Sequence, residues 1–161
     1  MPVRSRFARW IPVLCWMALI FIASTDAFSA AHTARWIAPI VRLFFPHISA
    51  QGLETVHFCI RKGAHLTEYG ILGILLWRAI PEPRNRPELA MSSRAGVALL
   101  VATVYAATDE YHQSFVPSRT SSVRDVCIDA CGAAVALAIV SLANRPRSRR
   151  PPDDAEPSPA A

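Results

Sequence analysis

The charges in this chain stand in blocks, and the blocks leave long apolar stretches between them. Arg4, Arg6 and Arg9 crowd the first nine residues, a second block covers residues 78–94, and a third follows Asn144. Such a chain alternates hydrocarbon-compatible and water-requiring pieces, which is the pattern of a polypeptide that crosses a bilayer several times. Composition agrees: 52% of the 161 residues are hydrophobic, 18% are charged, and the mean hydropathy is +0.26. The length allows one domain. A net charge of +5 would suit nucleic acid or an anionic membrane surface. Most of the arginines flank apolar runs and form no basic face, so no nucleic-acid partner is expected.

Four apolar segments emerge, at about residues 8–26, 56–80, 94–116 and 123–143, within one domain over 1–144. Pro81 and Pro117 stop the second and third. The first, preceded by Arg4, Arg6 and Arg9, reads equally as a signal peptide or a retained helix, because residues 27–31 are small enough for cleavage. Between the first two segments, residues 34–45 are apolar enough for a short helix lying on the membrane surface. Residues 145–161 hold arginines, prolines and acids without a large apolar residue, and are expected to be a disordered cytoplasmic tail. None of the last three segments is a clean apolar run; each needs its polar end turns to reach the ~20 residues that span a bilayer. A soluble bundle with buried charges is the competing architecture, but soluble helices carry a polar outer stripe and these show none.

The fold expected is therefore all-α, an integral membrane bundle of four transmembrane helices with both termini cytoplasmic. Orientation follows from the basic residues: eleven fall at the two termini and the loop between segments two and three, and six on the opposite side. Helix rise of ~1.5 Å per residue then puts His65, Asp109 and Asp129 at one depth, roughly 21–23 Å from their cytoplasmic ends and in the outer third of a ~30 Å core. Charges at such depth cost ~2.5–3.5 kcal/mol each on insertion scales and usually pair or line a polar cavity. Helical spacing groups Lys62, His65 and Tyr69, with Glu68 close by; Asp109, His112 and Gln113; and Asp125 with Asp129. Gly63, Gly70, Gly73, Gly132, Ala133 and Ala136 would let the helices approach closely. The four cysteines form no CxxC pair and read as small apolar packers. Trp10 and Trp77 read as anchors at the inner interface.

The polar cluster admits several chemistries. His65, Glu68, Asp109, Glu110 and Asp129 are the candidate catalytic groups, suited to general acid–base work in a desolvated pocket. Lys62, Gln113, Arg119 and Asp125 are the candidate substrate-binding groups, Lys62 and Arg119 being able to grip a phosphate or carboxylate. Imidazole and carboxylate would also suit a metal, yet no HExxH-type motif is present, and neither metal nor cofactor is expected. A structural ion-pair network that fixes helix register is the plain alternative. A transporter or channel component is another, although residues 73–80, 97–104 and 135–140 offer almost nothing polar to continue a path inward.

Two stretches carry a resemblance. Arg61-Lys62-Gly63-Ala64-His65 with Glu68-Tyr69 is one, and Asp109-Glu110 through Gln113 and Arg119 to Asp125 and Asp129 is the other, a D-E-x-x-Q-x-x-x-x-x-R-x-x-x-x-x-D-x-x-x-D pattern. Together they resemble the VanZ-like membrane proteins, whose named member is associated with low-level resistance to the glycopeptide teicoplanin. The likeness covers about residues 10–143, including Ser24, and departs at Ser118, where the family often has glycine. It implies a multi-pass protein of the bacterial cell envelope with a retained first helix. Teicoplanin carries a lipid tail and acts outside the membrane, which agrees with a site near the outer face. The partners expected are membrane lipids or a lipid-linked or glycolipid envelope precursor, bound or modified through its headgroup.

Overall fold

A computed structural model describes residues 7–25, 30–81, 87–117 and 121–144. Five helices follow one another there, with no strand among the described residues: α1 (Ile11–Ala23), α2 (Ala30–Phe44), α3 (Ala50–Ala79), α4 (Pro87–Gln113) and α5 (Val123–Ala143). The tail 145–161, the loop arginines Arg84 and Arg86, and Arg119 lie outside the described residues.

Local chemistry sets the ends of these helices. Ser49 caps α3 by accepting from the Gly52 backbone N–H at 3.1 Å, so the helix starts at Ala50, six residues earlier than apolarity alone suggests. Its last bond runs from Ile80 N–H to Leu76, and Pro81 follows. Pro87 opens α4, seven residues before the expected start, because proline is pre-shaped for a first helical turn. Beyond Gln113 the chain tightens, with Phe115 bonded to His112 and Val116 to Gln113. Ser122 caps α5 through the Arg124 N–H, and α5 occupies the expected residues. α2 covers most of the short helix anticipated at 34–45 and begins one turn sooner.

α3 is the hub: α5 and α4 pack along it, and α1 and α2 lie against it. Small residues make this possible. A Cβ built on Gly132 would come within 2.3 Å of the Leu66 carbonyl oxygen, so α5 crosses α3 backbone to backbone. Cβ atoms built on Gly70 and Gly73 would sit 3.4–3.5 Å from Gly132, Ala136 and Ala133. Gly63 has open space where its Cβ would be and takes no part in the approach. On α4, Ala98, Ala102 and Ala106 recur every fourth residue and are fully buried with Leu72 and Leu76 of α3. α1 is pinned by two bonds, Trp16 Nε1–H to the Glu68 carbonyl at 2.9 Å and Tyr105 O–H to the Met17 carbonyl at 2.6 Å. At the far end Arg94 stacks over the Trp77 ring and donates to its carbonyl, so Trp77 joins α3 to α4.

The outside of the bundle is hydrocarbon. Leu100 and Val104 on α4, and Val135, Ile139 and Leu142 on α5, are each more than half exposed. All four cysteines are exposed as well, so they do not fill the interior as expected of packers. α5 is long and apolar enough to cross a membrane, with mean hydropathy 2.2, and α1 is a shorter apolar helix.

Candidate functional site

The polar residues gather at the end of the bundle where α1 stops and α5 begins. Ser24, one residue beyond α1, donates its hydroxyl to Asp109 Oδ2 at 2.7 Å. Gln113, one turn further along α4, gives its amide to the same oxygen at 3.1 Å and to Ser24 Oγ at 3.2 Å. Ser24, Asp109 and Gln113 thus close a buried triangle joining α1 to α4. Across the bundle, α3 and α5 are joined twice. Lys62 is paired with Asp125, and one turn deeper the His65 ring nitrogen Nδ1 meets Asp129 Oδ1 at 3.1 Å. Glu110 reaches between the two sides and accepts from the Ser122 backbone N–H at 2.6 Å, clasping the capping residue of α5.

These four acids are more than nine-tenths buried while leucines and valines face outward, the inverse of a soluble protein. Each of Asp109, Glu110 and Asp129 satisfies one carboxylate oxygen and leaves the other buried without a partner among the described residues. The Tyr69 hydroxyl is likewise buried and unpartnered, within electrostatic reach of both Asp109 and Asp129. Unmet polar atoms at such depth require hydrogen-bonding company.

Beside this network lies an open cavity of about 390 Å³, lined by the end of α1, residues of α2 and the first half of α3. Ser24, His65 and Glu68 line it. With Nδ1 held by Asp129, His65 lines the cavity with its ring oriented from behind. A carboxylate orienting an imidazole in this way is the arrangement of a general base or a hydrogen-bond donor. Phe58, Ile60, Ile37 and Ala64 give the cavity apolar walls.

Of the nine candidate residues, His65 and Glu68 line this cavity. Lys62, Asp109, Glu110, Gln113, Asp125 and Asp129 lie in the adjoining network, so they form an interior wall and do not share a single open pocket. Arg119 lies outside the described residues. His112 was grouped with Asp109 and Gln113 by spacing, but its ring packs at a tilt against Phe21 of α1, with ring centroids 4.4 Å apart. Four participants were not among the nine candidate site residues. Ser24 is a lone serine at the end of an apolar run, and only the partner on α4 gives it a role. Glu54, His57 and Arg61 also line the cavity, and their helical spacing with His65 and Glu68 was the available signal.

The VanZ/LLP1 family model matches residues 9–144, which include every residue of the network and the cavity. The chain belongs to that family. No curated protein and no solved structure matches it. In this VanZ-like chain the matched region takes in α1, whose closing Ser24 is bonded into the polar network.

Proposed function

We propose that this VanZ-like protein is a multi-pass protein of the bacterial cell membrane that binds or modifies the headgroup of a lipid-linked or glycolipid envelope component. The site is the cavity and polar network near the outer face. In this reading α1, α3, α4 and α5 span the bilayer, both termini and the Arg84 loop are cytoplasmic, and residues 1–144 form one domain. The hydrocarbon exterior supports it, since a soluble bundle would present polar side chains where Leu100, Val135 and Ile139 stand.

One observation carries the functional part: the cavity meets the buried network at His65 and Ser24, each hydrogen-bonded to a carboxylate behind it. A purely structural lock would need the paired groups but no cavity beside them. Its size falls in the ~300–1,000 Å³ range of ligand pockets, and it combines apolar walls with a few directed polar groups. Transport by a single copy is the weaker reading, because Leu72, Leu76, Ala98, Ala102, Ala133 and Leu137 close the interior beyond the network with no polar side chain.

The test is teicoplanin susceptibility or envelope stress, compared at matched expression for Asp109→Asn, His65→Ala and Arg119→Ala. Asparagine at 109 still accepts from Ser24 and Gln113 through its carbonyl, so it removes charge and leaves the triangle. Loss of the phenotype in inserted, folded variants is the expected result. Full function in all three sinks the reading. Mass spectrometry of co-purifying lipids would identify the ligand.

A further inference from the structure

Five side chains on one face of α3 run the length of the cavity: Glu54, His57, Arg61, His65 and Glu68, at steps of three, four, four and three. The lower end of this stripe belongs to the site described above; the upper part has no role there. Arg61 makes no ion pair among the described residues, and His57 Nε2 is buried without a hydrogen-bond partner. Both groups line the same cavity.

Their depth is informative. From Ile80, at the inner boundary in the reading above, Arg61 stands 19 residues and His57 stands 23 residues along a continuous helix. At ~1.5 Å per residue these are about 28 and 35 Å, the outer edge of a ~30 Å hydrocarbon core and the headgroup layer above it. His65, at ~23 Å, is still inside the core. The stripe therefore crosses from the phosphate level into hydrocarbon.

α2 supplies the other wall, through Thr33 and Ile37. Trp36, Ile40, Leu43 and Phe44 occupy the adjoining arc of this helix and are each more than half exposed, whereas Arg35 and Arg42 lie on its far side. A helix so divided lies in the interface with its arginines to water and its apolar arc toward acyl chains. It roofs the cavity against water and leaves the side facing the leaflet apolar.

We propose that the upper half of this cavity is a binding site for a phosphate-bearing membrane lipid, Arg61 and His57 holding the phosphate beneath α2. The lipid enters sideways from the outer leaflet with its chains against the apolar arc of α2. Glu54, one turn above His57 and so at the headgroup level, accepts hydrogen bonds from hydroxyl groups of the headgroup. This rests on the membrane reading above and names the ligand class of that site.

The experiment is native mass spectrometry of the full chain taken from vesicles containing phosphatidylglycerol and phosphatidylcholine in equal amounts. Both probes carry a phosphate, but the choline headgroup has no donor for Glu54. The wild type is expected to retain phosphatidylglycerol preferentially. Arg61→Gln and, independently, His57→Gln should lower that retention about tenfold, the loss of a charge-assisted hydrogen bond. Arg42→Gln, on the water side of α2, should not. Equal retention of both lipids by the wild type, or unchanged retention in folded Arg61→Gln and His57→Gln, overturns the proposal. Displacement of the lipid by excess inorganic phosphate overturns the lipid as its source. If His65→Ala and Asp109→Asn lose function while Arg61→Gln retains lipid, this inference alone fails. Full function in those two variants removes the reading beneath it.

Discussion

Lys62 and Asp125 show how one pair can be either scaffold or binding group, and how the two roles separate. Both side chains are about nine-tenths buried, and each is the other's ionic partner. Removing one leaves an uncompensated charge in a poorly hydrated place, which typically costs ~3–5 kcal/mol. Removing both and filling the space with apolar atoms is often neutral. Lys62→Met and Asp125→Asn should therefore each lower stability by about 3 kcal/mol, while Lys62→Met/Asp125→Leu should recover most of the loss. Thermal melts of the detergent-solubilised variants check this as a double-mutant cycle. Additive losses would contradict the pairing. A stable double variant without the envelope phenotype would show that the pair also serves the ligand, because packing would be intact and only the charges gone.

Helix approach depends on glycine at Gly132 and is indifferent to it at Gly63. Gly132 meets the Leu66 carbonyl so closely that even a methyl group must push α5 away from α3. That shift would strain the Lys62–Asp125 and His65–Asp129 pairs, which bridge the same two helices. Gly132→Ala should cost about 1–3 kcal/mol or more. Gly63→Ala meets nothing within 4 Å and should be neutral or stabilising by up to ~1 kcal/mol, since alanine is the better helix former. Equal melting temperatures for the two variants would mean that the α3–α5 crossing is looser than described. The sequence announced small residues on both helices but could not tell Gly63 from Gly132, because periodicity identifies a face and not the backbone opposite. The same limit hid Ser24: its bond to Asp109 spans 85 residues, and nothing local to either signals it. What could be read locally was read well, as at α5, where capping and apolarity coincide. Helix starts drifted where Ser49 and Pro87 extend a helix into polar sequence that looks like loop.

For the whole molecule, the arrangement of charge must agree with an orientation, and that agreement can be measured. The described bundle has one polar end, with Ser24, Lys62, His65, Glu110 and Asp125, and an opposite end closed by Ala79, Ile80 and Ala98. The arginine blocks at residues 4–9, 78–94 and 145–150 all belong to the second end by sequence, since they flank the start of α1, the α3–α4 connection and the end of α5. Arginine is held on the cytoplasmic side during insertion, so the proposed orientation has the polar end facing outward. In that proposed orientation the cavity would lie against the outer leaflet, within reach of a lipid-linked envelope component. Fusions of a reporter active only in the cytoplasm at residue 85 and after residue 144 should be active, and fusions in the connection at residues 118–121 should be silent. Moving the excess charge tests the cause: neutralising Arg78, Arg84, Arg86 and Arg94 together should yield a mixed population. An active reporter at residue 120 in the wild type would put Arg61 and His65 on the inner leaflet, and no ligand outside the cell could then reach them.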